Sequence, residues 1–267
     1  MIKTYIPTII KALEKASAKI MEIYAQDFEV EIKADNSPVT IADKASSQIL
    51  MDALSGFNIP IISEEEEKPK FDNRKNEKLI WLVDPLDGTK EFIAKNNQFC
   101  ICVALVENGK PILGFIASPV TKQILFGGKN IGAFEISFGE NDIYNQKWKI
   151  EPCKPNKVKV LAHSNAPFSE LSLKFLKDFE QQFGEFKIIR KGSALKFIDL
   201  VTGKADFYIR LAPTMEWDIA AGQAIYEVVG GEVVNFYNKI ELNYNKQELR
   251  NPHFLAKLKS IKLDNNE

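Results

Sequence analysis

The stretch 79–92, Leu-Ile-Trp-Leu-Val-Asp-Pro-Leu-Asp-Gly-Thr-Lys-Glu-Phe, constrains this chain more than any other. Residues 79–83 are five consecutive large or β-branched apolar side chains, the pattern of a strand buried on both faces. The strand then meets Asp84, whose carboxylate needs a partner if it is buried. Pro85 fixes φ and stiffens the turn expected to leave the strand there. Asp87 comes three residues after Asp84, and Gly88 and Thr89 add backbone N–H groups and a hydroxyl. Two carboxylates on a rigid corner, beside a glycine that lets a ligand reach the backbone, suit a hard cation held against a phosphate. Asp-Pro and Asp-Gly are also ordinary turn dipeptides, and Asp87 or Thr89 would serve equally as a helix cap. The rest of the chain has to decide.

At 267 residues the chain has room for one large or two modest domains, and 45% hydrophobic residues supply a real core. The 35 basic and 36 acidic residues nearly cancel, so no global field favours nucleic acid or anionic lipid. A small anionic substrate has to be held by local charges and metal. Cys100, Cys102 and Cys153 form no C-x-x-C pair, and Cys100 and Cys102 alternate along a strand as small core residues. A reduced, cytoplasmic setting is expected. Lys3, Lys11, Glu14 and Lys15 interrupt the apolar N-terminus, which therefore reads as neither signal peptide nor membrane span. His163 and His253 are too few for histidine-built metal or triad chemistry to be the default.

Along the chain, residues 3–25 carry apolar side chains at helical spacing. Val30 and Ile32 mark a short half-exposed strand, 34–38 a polar turn, and 40–54 a helix whose first turn, Thr40-Ile-Ala-Asp43, is a capping-box variant with Asp43 as reciprocal cap. A short strand at 58–62 ends in Ser63-Glu64-Glu65-Glu66-Glu67. Such a run is usually a solvated loop, yet it begins where a buried strand stops, so one acid, with Glu64 the first candidate, can share an ion with Asp84 and Asp87. Residues 68–78 read as charged linker. Asn108-Gly109 between the strands 99–107 and 110–119 predicts a hairpin, and 123–126 a further strand closed by Gly127-Gly128. A domain boundary is expected near Pro152–Pro155, giving 1–152 and 153–267. Beyond it, strands at 157–162, 186–189, 206–209 and 232–234, the last taken as final, alternate with helices at 169–183, 193–202 and 217–229. That alternation predicts α/β layering with ligands at strand ends.

Asp218 lies in the first turn of the last of these helices, followed by the small residues Ala220, Ala221 and Gly222. An acid there complements the helix dipole, but the small residues also allow this helix end to pack closely. If it packs on the central corner, Asp218 joins Glu64, Asp84 and Asp87 in an all-oxygen site suited to Mg²⁺ or Mn²⁺ rather than zinc. Such ions would neutralise a phosphoester, activate a water and stabilise the leaving oxygen, with Thr89 and Asp43 behind it as a proton relay.

Three segments together, Trp81-Leu-Val-Asp84-Pro-Leu-Asp87-Gly-Thr89, Glu64-Glu65 and Trp217-Asp218-Ile-Ala-Ala-Gly222, resemble the metal motifs of the inositol monophosphatase superfamily. Ser37-Pro-Val-Thr40-Ile-Ala-Asp43, Lys90-Glu91-Phe92-Ile93, Gly192-Ser-Ala-Leu-Lys196-Phe197, Arg210, Pro213-Thr214 and Asn251-Pro-His-Phe254 resemble its bacterial 3'(2'),5'-bisphosphate nucleotidase branch. The resemblance implies an α-β-α-β-α sandwich. It implies that Glu64, Asp84, Asp87, Asp218 and the Leu86 carbonyl hold two or three Mg²⁺, with Mn²⁺ as substitute, and that Asp43 and Thr89 activate the water. It further implies that Gly88 and Thr89 bind the scissile phosphate, and that Ser193, Lys196 and Arg210 bind the nucleotide. Glu64, Leu86, Asp87 and Asp218 also border the substrate. The implied activity removes the 3'-phosphate of 3'-phosphoadenosine 5'-phosphate, with the sulfated nucleotide as a further substrate and lithium as inhibitor. Monomer or homodimer, and loose association with the inner membrane face, are both compatible with the family. Lys196, Arg210 and Lys191 are the local cations a second phosphate requires. Ala162-His163-Ser164-Asn165 departs from the Ser-Arg-Ser-His of many relatives, so adenine contacts are not carried over.

Three other readings compete. A haloacid-dehalogenase-type phosphatase needs D-x-D, whereas the spacing here is D-x-x-D. An inositol or sugar phosphatase on the same fold would lack the Lys196 and Lys90-Glu91 features. A non-catalytic nucleotide or ion sensor would be expected to lack one ligand or the Thr89–Asp43 relay.

Overall fold

A computed structural model describes residues 2–33 and 37–263; most of the turn expected at 34–38 lies outside the described residues. The helices are α1 Ile2–Tyr24, α2 Ile41–Ser55, α3 Phe71–Arg74, α4 Thr89–Ile93, α5 Glu170–Phe183, α6 Leu195–Val201 and α7 Glu216–Val228. The strands are β1 Val30–Ile32, β2 Pro38–Thr40, β3 Ile61–Ser63, β4 Leu79–Asp87, β5 Cys100–Glu107, β6 Lys110–Ser118, β7 Gln123–Gly128, β8 Gly132–Ser137, β9 Lys149–Ile150, β10 Lys159–His163, β11 Phe186–Arg190, β12 Phe207–Arg210, β13 Gly231–Asn235 and β14 Phe254–Leu258.

Seven strands form a sheet in sequence order from β3 to β9, antiparallel throughout except for the parallel β3–β4 pair. Successive strand residues point to opposite faces, and β4 uses both. Trp81 and Val83 pack with Ile6, Leu13 and Leu50 of α1 and α2. Ile80 and Leu82 pack on the other face with Phe197 of α6 and Ala220 and Ala221 of α7. The second sheet has the order β11-β10-β12-β14-β13, with β14 antiparallel to both its neighbours. Phe207 of β12 meets Phe179 of α5 with ring centroids 4.7 Å apart, while the adjacent Tyr208 meets Phe197 of α6 at 5.6 Å. Helices α5 and α6 therefore cover opposite faces of this sheet. The layers run α1/α2, seven-stranded sheet, α6/α7, five-stranded sheet, α5, the sandwich expected from the resemblance. The middle layer is tight: a Cβ on Gly114 of β6 would lie 2.2 Å from the Ala221 carbonyl oxygen of α7.

Several local expectations are corrected. The strand beginning at Leu79 does not stop at Val83 but continues through Asp84 and Pro85 to Asp87. The strand expected at 58–62 is confined to Ile61–Ser63. The charged linker contains α3, whose Arg74 is buried and donates to Pro69 O, Asn245 Oδ1 and Gln247 O. Strand β7 runs through Gly127 and Gly128 instead of being closed by them, and β8 and β9 extend the sheet. All three residues of β1 are exposed rather than half-buried; it forms the outer strand of a two-stranded ribbon whose partner β2 takes the buried positions. Nor is β13 the last strand: β14 inserts between β12 and β13 after a long polar connection.

Candidate active site

The D-x-x-D corner is a β-bulge. Asp84 pairs with Cys102 and Asp87 with Cys100, so three residue steps on β4 oppose two on β5. Without the bulge, odd spacing would put the two acids on opposite faces. Cross-strand partners share a face, and Cys100 and Cys102 both belong to the α6/α7 side. Asp84 and Asp87 therefore both point toward the N-terminus of α7. Asp84 Oδ1 accepts from Leu86 N at 3.0 Å, and Ser46 of α2 donates to Pro85 O at 2.7 Å, which stiffens the corner.

Glu64 arrives from the end of β3, where its N–H bonds Val83 O at 3.0 Å. Its carboxylate accepts from Trp217 Nε1 at 3.1 Å and lies 3.5 Å from Lys33 Nζ. Asp218 accepts from Met215 N at 2.8 Å, so it serves as a helix-terminal acid and also faces the cluster. One carboxylate oxygen from each of Glu64, Asp84 and Asp218 lies within 4.8 Å of the other two. Burial, then the charges of Glu64, Asp87 and Asp218, push Asp84 well above the usual carboxylate range. Burial, then the charges of Asp87 and Glu64, do the same to Asp218. Asp87 is pushed up to about 6, chiefly by burial, against the opposing pull of Lys196 and the Ala194 N–H. A cluster of hard oxygens that repel one another in this way fits a hard divalent cation.

Beside it, Thr89 Oγ1 donates to Asp43 Oδ1 at 3.0 Å and lies 3.3 Å from Leu86 O. The other oxygen of Asp43 accepts from Thr40 N and Thr40 Oγ1 at 2.7 and 2.6 Å. The capping role and the link to Thr89 thus belong to one side chain. Burial raises Asp43 while its hydrogen bonds oppose the shift. Gly88 is left-handed, with φ +98°, and a Cβ there would lie 3.0 Å from Gln98 O and 3.2 Å from Ser193 Cβ.

A cavity of about 260 Å³ opens from Asp87, Gly88 and Asp218 toward Ser193, Lys196, Tyr208, Arg210 and Thr214. A second, of about 220 Å³, is lined by Glu64, Asp84, Leu86 and Thr89 and shares Asp87, Gly88 and Asp218 with the first. Lys196 is buried, donates to Ser193 O at 2.5 Å and Lys191 O at 3.1 Å, and is lowered by burial to about 8 despite Asp87. Lys191 does not join it: its ammonium is paired with Asp199 at 2.6 Å. His163 is also turned away, packed on Phe168 at 4.5 Å, whereas Ser164 and Asn165 line the cavity. Asn165 Nδ2 and Gly192 N both donate to Gln98 Oε1, at 2.8 and 2.7 Å. Gln98 and Tyr208 carried no local signal, since only the fold brings the segment before β5 and the end of β12 to this rim. Glu216 was likewise missed. It is fully buried beside Asp218 and accepts from Asn245 N and the Lys246 ammonium.

An α-β-α-β-α sandwich with an acid cluster between its sheets and a buried cation across the adjoining cavity is the architecture of a metal-dependent phosphatase. The chain belongs to the inositol monophosphatase family, which matches residues 2–262. It is 37% identical over 244 residues to the 3'(2'),5'-bisphosphate nucleotidase CysQ of Shigella flexneri, covering 90% of this chain and 94% of that protein. The protein of the same name from Salmonella typhimurium is 36% identical over 248 residues, again covering 90% and 94%. The crystal structure of CysQ from Bacteroides thetaiotaomicron superposes with a TM-score of 0.84 at 34% identity, covering 95% of this chain and 97% of that one.

Proposed function

We propose that the chain removes the 3'-phosphate of 3'-phosphoadenosine 5'-phosphate, giving AMP and phosphate. The observation that carries this reading is the convergence of Glu64, Asp84 and Asp218 within 4.8 Å in one cavity, which shares Asp87, Gly88 and Asp218 with the adjoining cavity that holds Lys196 and Arg210. Glu64, Asp84, Asp87, Asp218 and the Leu86 carbonyl would hold two or three Mg²⁺ ions, with Mn²⁺ as substitute. When bound, these ions neutralise phosphoryl charge and make a water more acidic.

Gly88 and Thr89 border the scissile phosphate and present backbone N–H groups to it. Thr89 accepts the attacking water's proton as its own passes to Asp43, whose buried carboxylate is the stronger base for its burial. Ser193, Lys196 and Arg210 orient the rest of the nucleotide, and the buried Lys196 charge favours a substrate with a second phosphate. Dividing the chain at 152/153 puts most of the acids in the first part and Asp218 with the nucleotide contacts in the second. The reading places the protein in the cytoplasm, as a monomer or homodimer. No helix among the described residues is long and apolar enough to cross a membrane.

The test compares phosphate release from 3'-phosphoadenosine 5'-phosphate, inositol 1-phosphate and fructose 1,6-bisphosphate, with Mg²⁺ and with EDTA. Preference for the nucleotide, abolished by EDTA, is expected. Equal or faster release from inositol 1-phosphate would return the chain to the inositol phosphatases of the same fold.

A further inference from the structure

Two buried thiols take no part in the chemistry above. Cys100 and Cys102 are fully buried on β5, on the face that carries Asp84 and Asp87, and their sulfurs are 4.0 Å apart. Cys100 Sγ lies 3.8 Å from Asp87 Oδ2 and 3.5 Å from Ser193 Oγ. One donor atom each from Asp87, Cys100 and Cys102 lies within 4.8 Å of the other two. Tetrahedral zinc, with Zn–S near 2.3 Å and Zn–O near 2.1 Å, has donor–donor edges of roughly 3.4–3.8 Å. The separations from Cys100 sit within a few tenths of an ångström of those edges.

We propose that Asp87, Cys100 and Cys102 form a second metal site, selective for a thiophilic divalent cation such as Zn²⁺ or Cd²⁺. Ser193 Oγ or a water supplies the fourth donor, and filling the site withdraws Asp87 from the hard-cation site. Two sulfur donors select against Mg²⁺ and for a softer ion. Binding releases one proton from each thiol to solvent, leaves two thiolates and a carboxylate on the ion, and involves no oxidation or reduction. Asp87 lines both cavities, and the two buried sulfurs lie behind its side chain on the same face of the sheet. The inhibitory consequence rests on the proposed phosphatase function; the binding does not.

The full chain, freed of metal with EDTA and dialysed, is titrated with Cd²⁺ while the ultraviolet thiolate-to-metal charge-transfer band is followed. One ion per chain with a saturating band is expected. Cys100→Ser and Cys102→Ser should each weaken binding by about tenfold or more, and Cys153→Ser should leave it unchanged. Absence of the band in the unmodified chain overturns the proposal whatever the variants do, as does a band that survives in the Cys100→Ser/Cys102→Ser double variant. A chain that shows the band yet releases phosphate from no substrate keeps the thiol site and loses the phosphatase reading. A chain that hydrolyses the nucleotide without showing the band does the reverse.

Discussion

Thr89 donates its hydroxyl to Asp43 Oδ1 at 3.0 Å, joining the first residue of α4 to the first turn of α2 across 46 residues of chain. Asp43 makes this contact with the oxygen that its cap on Thr40 leaves over. A residue with a sufficient local explanation thereby acquires a second one.

That division of labour makes Asp43→Asn informative. The amide keeps an oxygen for the cap, so the helix should lose about 1 kcal/mol or less, while turnover should fall roughly 100-fold or more because the relay has no base. Thr89→Ser should retain most activity and Thr89→Val should not. Steady-state phosphate release and thermal melts, run side by side, separate the two effects.

The acid cluster makes stability depend on pH in a definite direction. Asp84, Asp87 and Asp218 all have folded-state pKa values above their unfolded ones, Asp87 at about 6. Between the two values the unfolded chain binds fewer protons, so stability falls as pH rises. The metal-free protein should therefore melt at progressively lower temperature as pH rises from about 4 through about 6 and beyond. Mg²⁺ should reverse the loss in a saturable way. Asp84→Asn should raise the metal-free melting temperature at neutral pH, remove most of the Mg²⁺ effect and abolish turnover. A flat melting profile between pH 4 and 8 would contradict the mutual repulsion.

Lys196 is held at about 8 by burial, so the free protein loses this charge as pH passes that value. KM for the nucleotide bisphosphate should rise above that pH. Lys196→Met should raise KM by about tenfold or more at neutral pH with a smaller effect on kcat, since it removes one charge-assisted contact of about 1.5–3 kcal/mol. Kinetics as a function of pH for both proteins check this, and the variant should lack the alkaline rise.

The contact between β6 and α7 is a packing prediction. Gly114→Val would drive a side chain into the Ala221 backbone, where even a Cβ has only 2.2 Å. A loss of about 1–3 kcal/mol or more is expected from overpacking. Because α7 carries Asp218, activity should fall together with denaturant stability, whereas Gly56→Ala, at a right-handed φ of −64° and with its nearest neighbour 3.9 Å away, should cost far less.

Periodicity and turn chemistry made much of this protein legible as a string. The amphipathic spacing of α1, the Asn108-Gly109 hairpin, the Thr40–Asp43 cap and the alternation of strand and helix after residue 157 are local patterns, and local patterns survive without knowledge of the fold. The acids at 64, 84, 87 and 218 could be marked because each follows an apolar run or opens a helix. Their meeting could not be derived from any one segment. It depends on a β-bulge that turns Asp87 to the face of Asp84, on the parallel pairing that brings the end of β3 beside β4, and on small residues that let α7 close on the sheet. The same holds for Lys191, which shares its charge and neighbourhood with Lys196 but is neutralised by Asp199, one turn into α6. It holds equally for β14, whose place between β12 and β13 is set by long-range pairing. Side-chain type and spacing are properties of the chain, whereas the face, partner and burial of a charge belong to pairings between segments far apart in it, and only the folded molecule makes those.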